Sequence, residues 1–365
     1  MAYSVRDILS WVPLTKTVQV VKEGLPKVLP KEFFTIEERV SGHVARVIEY
    51  RGTRQTAKVV PYGSPAPLGQ KLQLSSRDIV LLSAREQLPF REELVFILRN
   101  WEKYQPQQKW AMQEIIYQGE QMRVRFDNLE TAALLLSLSK GEIYLDGDGN
   151  LLPNSTNASV VVSQDIPDSN RSGKPGNKVD PIVNNWDVAT TNIPEQIVNI
   201  QKLAVQTSGY PLKYAIYGRN VIRYLSSNEV LRYFWARAAN YNEEFLETAH
   251  IPQEFLGLVW VPAANAFFED ANGNVQEIFD PDTVVFTPEI TEETYTMYRG
   301  SELVPTSLSA AYKDGSDALG SLAEVFGRGR YAKVLDNPVQ IIDVGFSIFF
   351  PRLKVPGAYF IANVS

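Results

Sequence analysis

The sequence predicts an α+β chain, and three observations carry that expectation. Residues 51–70 read RGTRQTAKVVPYGSPAPLGQ, a basic stretch broken by Pro61, Pro65 and Pro67 and by Gly63 and Gly69, with apolar residues on both sides. Proline fixes φ and removes a backbone donor, and glycine raises the entropy of ordering, so the stretch cannot be a helix and reads as the tip of an extended two-stranded arm. Met112, Ile115, Gly119, Met122, Phe126, Leu129, Ala133 and Leu136 alternate spacings of three and four, the mark of a helix with one narrow apolar stripe. The closing text, VQIIDVGFSIFFPRLKVPGAYFIANV, reads as apolar strands tied into a sheet.

A chain of 365 residues exceeds what one hydrophobic core usually supports, so two or more packed lobes are expected. Residues 1–38 alternate apolar patches (Trp11, Val12 and Leu14; Phe33 and Phe34) with Pro13, Pro26 and Pro30. They read as an extended N-terminal arm, docked on a neighbour or folded back on its own domain. Across residues 39–77 seven Lys or Arg face Glu49 alone, while the whole chain carries a net charge of -6. A basic arm on an acidic body is complementary to a copy of itself. A solvated loop is the plainer reading, and nucleic-acid contact a third, with only Tyr50 and Tyr62 nearby to stack on bases.

The striped helix spans 105–139, roughly 50 Å at ~1.5 Å per residue, and acts as a strut. After Gly141 come short strands and turns, then a polar loop over 163–181. A helix runs from Pro194 until Ser208 and Gly209 stop it, followed by a strand at 214–217 and helical stretches over 218–225 and 228–238. Strands and hairpins are expected around 258–261, 267–268 and 278–286.

Catalytic and metal chemistry has little to stand on. With no cysteine there are no disulfides, thiolate ligands or cysteine nucleophiles. His43 and His250 sit in unrelated contexts and read as structural. DGDGN at 146–150 begins like a calcium loop, but Leu151 replaces the required glycine and Asn157 the bidentate glutamate, so it reads as a hairpin turn; EDANGN at 269–274 fails the same test. Gly327-Arg328-Gly329-Arg330 lacks the lysine and hydroxyl of a phosphate loop and reads as a flexible basic loop. No catalytic residue, metal or cofactor is expected. The N-terminus has no h-region, and the longest apolar run, 132–138, falls far short of the ~20 residues a membrane span needs, so a soluble, unexported protein is expected.

Taken in order, the apolar arm, the RGTRQTAKVVPYGSPAPLG ribbon, the helix ending in LLLSLSKGEIYLDGDGN, the DPIVNNWDVA segment at 180–189 and the close FFPRLKVPGAYFIANV resemble the lambda-type major capsid proteins of tailed bacteriophages. The resemblance spans nearly the whole chain and rests on order and spacing more than on any one motif. It implies a Hong Kong 97-type fold: an N-arm (1–38), an extended loop (39–85), a peripheral domain (86–194) with spine helix 105–139, an axial domain (195–330), and C-terminal strands (331–365) returning to the peripheral domain. It also implies self-assembly as hexamers and pentamers into an icosahedral head around double-stranded DNA bound non-specifically. The implied location is the virion capsid, assembled in the host cytoplasm. A portal protein is an implied partner, scaffolding and decoration proteins are left open, and no membrane is involved. A nanocompartment shell of the same fold is the alternative; a soluble enzyme and a small binding module stay open from other classes. Arg46, Arg51, Arg54 and Lys58 are the candidate intersubunit ion-pair donors, and Trp11, Phe33 and Phe34 the candidate arm anchors.

Overall fold

The computed structural model describes residues 14–15, 29–51, 73–99, 105–183, 185–237, 254–263, 267–269, 275–306, 322–336 and 339–365. In chain order, α1 (Glu32–Thr35) and β1 (Glu37–Arg39) precede the pair β2 (Val44–Arg51) and β3 (Gln73–Val80). Then come β4 (Leu82–Pro89), α2 (Glu92–Arg99) and the long helix α3 (Gln105–Ser139). A small sheet follows, of β5 (Glu142–Leu145), β6 (Leu151–Leu152) and β7 (Val160–Ser163). Helix α4 (Ile193–Thr207), strand β8 (Leu212–Tyr217), and helices α5 (Val221–Ser227) and α6 (Glu229–Arg237) come next. The strands β9 (Glu254–Phe255), β10 (Leu258–Pro262), β11 (Phe267–Glu269), β12 (Val275–Glu277) and β13 (Thr283–Pro288) lead to β14 (Tyr295–Arg299) and β15 (Ser301–Pro305). The chain closes with β16 (Leu322–Phe326), β17 (Arg328–Asp336), β18 (Val339–Leu353) and β19 (Phe360–Asn363).

Local chemistry explains where these elements start and stop. Asn192 caps α4 by accepting from the Glu195 amide, and Pro194 sits in the first turn, where its missing donor costs nothing. At the other end Gly209 takes φ +85°, which a side chain would resist, and the helix stops. In the DGDGN turn the Asp146 carboxylate accepts from the amides of Asp148 (2.9 Å) and Asn150 (2.8 Å), and Gly149 holds φ +87°. The hairpin reading therefore stands, with Tyr144 paired to Leu152 across it. Helix α2 was not anticipated in the sequence.

Two five-stranded sheets organise the molecule. In the first, the 15-residue β18 is the central strand: β17 and β4 pair with its N-terminal part, and β14 with its last five residues. The second runs β19-β13-β8-β10-β9 and divides two cores. Ala215, Val284, Phe286, Phe360 and Ala362 face helices α4 to α6 with Trp186, while Ile216, Val285 and Ile361 face the larger core around α3. That alternation is the period of two that a strand imposes.

Sheet membership cuts across the expected division at 330. β14 and β17 lie in the first sheet, beside the long helix, whereas β19 crosses over to close the edge of the second by pairing with β13. The crossing has a physical reason: Phe360 and Ala362 alternate with Ile361, so β19 can seal both cores at once.

Helix α3 spans 35 residues, as the spacing predicts. Its stripe differs in detail. Met112 is exposed and Ala111 takes the inward place, Leu129 is half-buried, and from Ala132 to Ser139 every residue is buried because sheet and strand pack on all sides. Helix and first sheet come close at Gly345, where a Cβ would lie 2.8 Å from Met122 Sδ and 3.2 Å from a Phe126 ring carbon.

Replacing Gly345 by valine should therefore lower stability by about 1–3 kcal/mol through overpacking. Gly357→Ala, where a Cβ meets nothing within 4 Å, should stay within about 0.5 kcal/mol. Chemical denaturation of the two variants checks this, and equal losses would contradict the packing described.

Candidate assembly surface

The ribbon predicted from its glycines and prolines begins as a regular antiparallel pair, in register from Val44 opposite Val80 to Arg51 opposite Gln73. One face is welded to the body: Ala45, Val47 and Ile79 are buried in the main core. The other face presents Val44 and Val80, both exposed, and the cross-strand pair of Arg46 with Asp78. Arg46 Nε donates to Asp78 Oδ1 at 2.9 Å, and that hydrogen bond holds the Asp78 carboxyl below its usual range. Arg77, from β3, forms a close ion pair with Asp165, to which Arg352 Nη1 also donates at 3.4 Å. The stem of the ribbon thus leaves the body in a fixed direction.

The candidate residues fall in different places. Arg46 has a partner inside its own ribbon. Arg51 ends β2, and its side chain, with Arg54, Lys58 and Trp11, lies outside the described residues. Phe33 is 0% exposed and packs edge-on against Tyr295 of the same chain, with centroids 5.0 Å apart. Its side chain therefore anchors the arm to its own lobe and has no face left for a neighbour. Phe34 is half-buried against the same core. From there β1 pairs in parallel with β14, Glu38 meets Lys354 at 3.2 Å, and the Arg39 guanidinium lies over the Phe326 ring. The arm from residue 29 onward folds back on its own body.

A buried charge cluster locks these parts together. Glu130 of α3 is 1% exposed and accepts from Arg328 Nε and Ser347 Oγ, both at 2.7 Å, with Arg299 Nη1 at 2.8 Å. Arg328 also reaches Asp127 at 2.6 Å, and Arg299 reaches Glu37 of β1 at 2.8 Å. Burial alone would raise the Glu130 pKa, but the two guanidinium groups outweigh it and hold the carboxyl well below the usual range. Nearby, Arg330 and Asp343 are wholly buried together, and Arg330 also donates to the Ile115 carbonyl at 2.8 Å.

These arginines correct the reading of Gly327-Arg328-Gly329-Arg330 as a flexible basic loop. After a turn at Gly327 (φ +72°) the segment is strand β17, and both arginines point into the protein. Gly329 is required because a Cβ there would lie 2.2 Å from the Phe346 ring. The alternation Gly-Arg-Gly-Arg is a signal of period two, but the Glu130 acceptor of Arg328 sits 198 positions away, while Asp343, which takes Arg330, lies 13 positions on in the next strand.

No helix among the described residues is long and apolar enough to cross a membrane. The family model of phage major capsid protein E matches residues 10–300. No curated protein matches. Among solved structures, a phage-related protein of Bordetella bronchiseptica shares 9% identity with a TM-score of 0.48, covering 96% of each chain. The mature capsid of bacteriophage PhiM1 shares 11% identity with a TM-score of 0.45, covering 95% of this chain and 90% of that one. The capsid of cyanophage P-SCSP1u shares 12% identity with a TM-score of 0.43, covering 95% and 91%.

Glu130→Gln should cost about 3–5 kcal/mol at neutral pH, because it leaves two buried guanidinium groups short of a counter-charge. Glu130 is depressed in the fold, so its contribution is whole above the unfolded carboxylate pKa of about 4.3 and is lost as pH falls below it. Denaturation curves of the two proteins should therefore converge in acid. A gap that is constant down to the lowest pH at which the protein still folds would contradict the assignment.

Proposed function

The chain belongs to the phage major capsid protein E family, with the α+β Hong Kong 97-type fold class expected from its sequence, and on that premise we propose how it builds a shell. Identical copies associate as hexamers and pentamers and close into an icosahedral head around double-stranded DNA, with the ribbon as the clasp between adjacent copies. The body around β18 and α3 serves as the peripheral domain, and the sheet of β8, β10 and β13 with α4 to α6 as the axial domain.

The observation that carries this reading is the asymmetry of the ribbon. Its stem is held rigidly by buried Ala45, Val47 and Ile79 and by the pairing of Arg77 with Asp165. Residues 52–72 beyond it carry Arg54, Lys58 and Lys71 with no carboxylate, on a chain of net charge -6. Extended at ~3.3 Å per residue, each leg of about ten residues reaches roughly 30 Å past the stem, far enough to lie on another subunit. Rim-exposed ion pairs contribute only about 0.2–1 kcal/mol each, so the clasp works by repetition. Once one contact forms, the rest become effectively intramolecular. Arg46, although paired with Asp78, remains on the exposed face and joins Arg51, Arg54 and Lys58 in this role, with Trp11 and Phe34 as the apolar contacts of the arm. An acidic interior wall lets DNA slide during packaging. The portal protein implied by the resemblance belongs to the same proposal, as does assembly in the host cytoplasm.

Changing Arg51, Arg54 and Lys58 together to glutamate should leave circular dichroism and the unfolding midpoint unaltered while abolishing megadalton particles in sucrose gradients and negative-stain images. Normal particles from that variant would remove the electrostatic clasp. Wild-type particles that never contain nucleic acid in phage-infected cells would favour the nanocompartment alternative.

A further inference from the structure

Strand β7 is the open edge of the small sheet β6-β5-β7 and pairs with β5 alone. The Gln164 N–H donates to the Gly141 carbonyl at 2.9 Å, and the register sets Ile143 opposite Val162 and Leu145 opposite Val160. Backbone groups alternate in direction along a strand, so residues 160, 162 and 164 turn theirs toward β5 while Val161 and Ser163 turn theirs outward. Among the described residues no backbone group takes up those outward N–H and C=O groups. On one face Val162 is half-buried against the main core, and the rest of the strand stands clear: Val160 is 49% exposed and Val161 51%.

Edges of this kind are normally guarded by lysine, proline or an inward charge. Here Ser159-Val160-Val161-Val162-Ser163 holds neither proline nor charge. The carboxylates beside it are already engaged, Glu142 by Arg171 and Tyr144, and Asp165 by Arg77 and Arg352. An uncharged edge offers nothing to the basic ribbon of 52–72, and its own sequence indicates what suits it. The five residues read the same in both directions, so an antiparallel copy centred on Val161 brings each residue opposite one of its own kind. Val161 exchanges both backbone hydrogen bonds with its counterpart, Val160 covers Val162, and Ser163 comes opposite Ser159, whose N–H is already given to the Leu145 carbonyl at 2.8 Å. Valine facing valine across two strands is a favourable pair, and this register covers both exposed valines.

We propose that β7 is a contact between copies of this chain, pairing edge to edge with β7 of a second copy about a two-fold axis at Val161 and joining two three-stranded sheets into one of six strands. It adds to the ribbon a second, uncharged contact between subunits, and it rests on the shell reading only in needing copies side by side.

The chain has no cysteine, so disulfides introduced into the full-length protein read the register directly. Val161→Cys, with its Cα about 5.5 Å from that of its counterpart, should give a covalent dimer under mild oxidation. Its yield should be several-fold above that of Val160→Cys, whose counterpart lies two residues along and about 8 Å away, beyond disulfide reach. Combining Val160→Cys with Val162→Cys should restore the dimer. Equal yields from the two single variants, or no dimer from Val161→Cys, would overturn the proposal. Shells that assemble without that cross-link would overturn it and leave the shell reading standing, whereas a Val161→Cys dimer in a protein that never forms shells would support the pairing and sink the shell reading alone. Independently, Val161→Lys sets like charges face to face on a half-exposed site, so it should cut particle yield several-fold with the unfolding midpoint unmoved. Full yield from that variant would overturn the pairing.

Discussion

One buried carboxylate holds the body together. Taking Glu130 out of water is costly, and only the convergence of Arg299, Arg328 and Ser347 repays that cost. Each partner comes from a different strand: β14, β17 and β18. The cluster therefore fixes α3 against the first sheet in one register, and Gly345 lets the helix come close enough for those bonds to form. Through Arg299 and Glu37 the same cluster captures β1, the edge strand that carries the arm.

That rigidity decides what the exposed parts can do. β4 is part of the locked sheet and follows β3 directly, so the separate two-stranded stem of β2 and β3 is tied to that frame. The second sheet is bound into the same body because its strands alternate between two cores. A structural protein that repeats one geometry many times gains from such a frame. Small angular freedom in the body would accumulate around a closed shell.

Local rules made part of this legible. The three-and-four spacing located α3, whose stripe is an i,i+3/i,i+4 property carried within each turn. Pro and Gly located the ribbon, and Pro194 with Ser208 and Gly209 located α4. Features that depend on distant partners stayed hidden. Arg328 meets Glu130 across 198 positions, and nothing in Gly-Arg-Gly-Arg announces a buried acceptor, so the segment reads locally as a loop. Phe33 reads as a sticky point on an arm, and only the presence of Tyr295 beside it makes it core. Likewise the closing text reads as strands tied into one sheet, although the alternating pattern of β19 suits the second.

In the proposed shell a locked frame grips its neighbour through the ribbon. Electron cryomicroscopy of purified particles, at a resolution that traces the main chain, tests this most directly. The predicted result is a closed shell in which residues 52–72 lie across the body of an adjacent subunit, with Glu130 still holding Arg299 and Arg328 in each copy. A solitary subunit at every concentration, or a ribbon folded onto its own lobe within the shell, would contradict it.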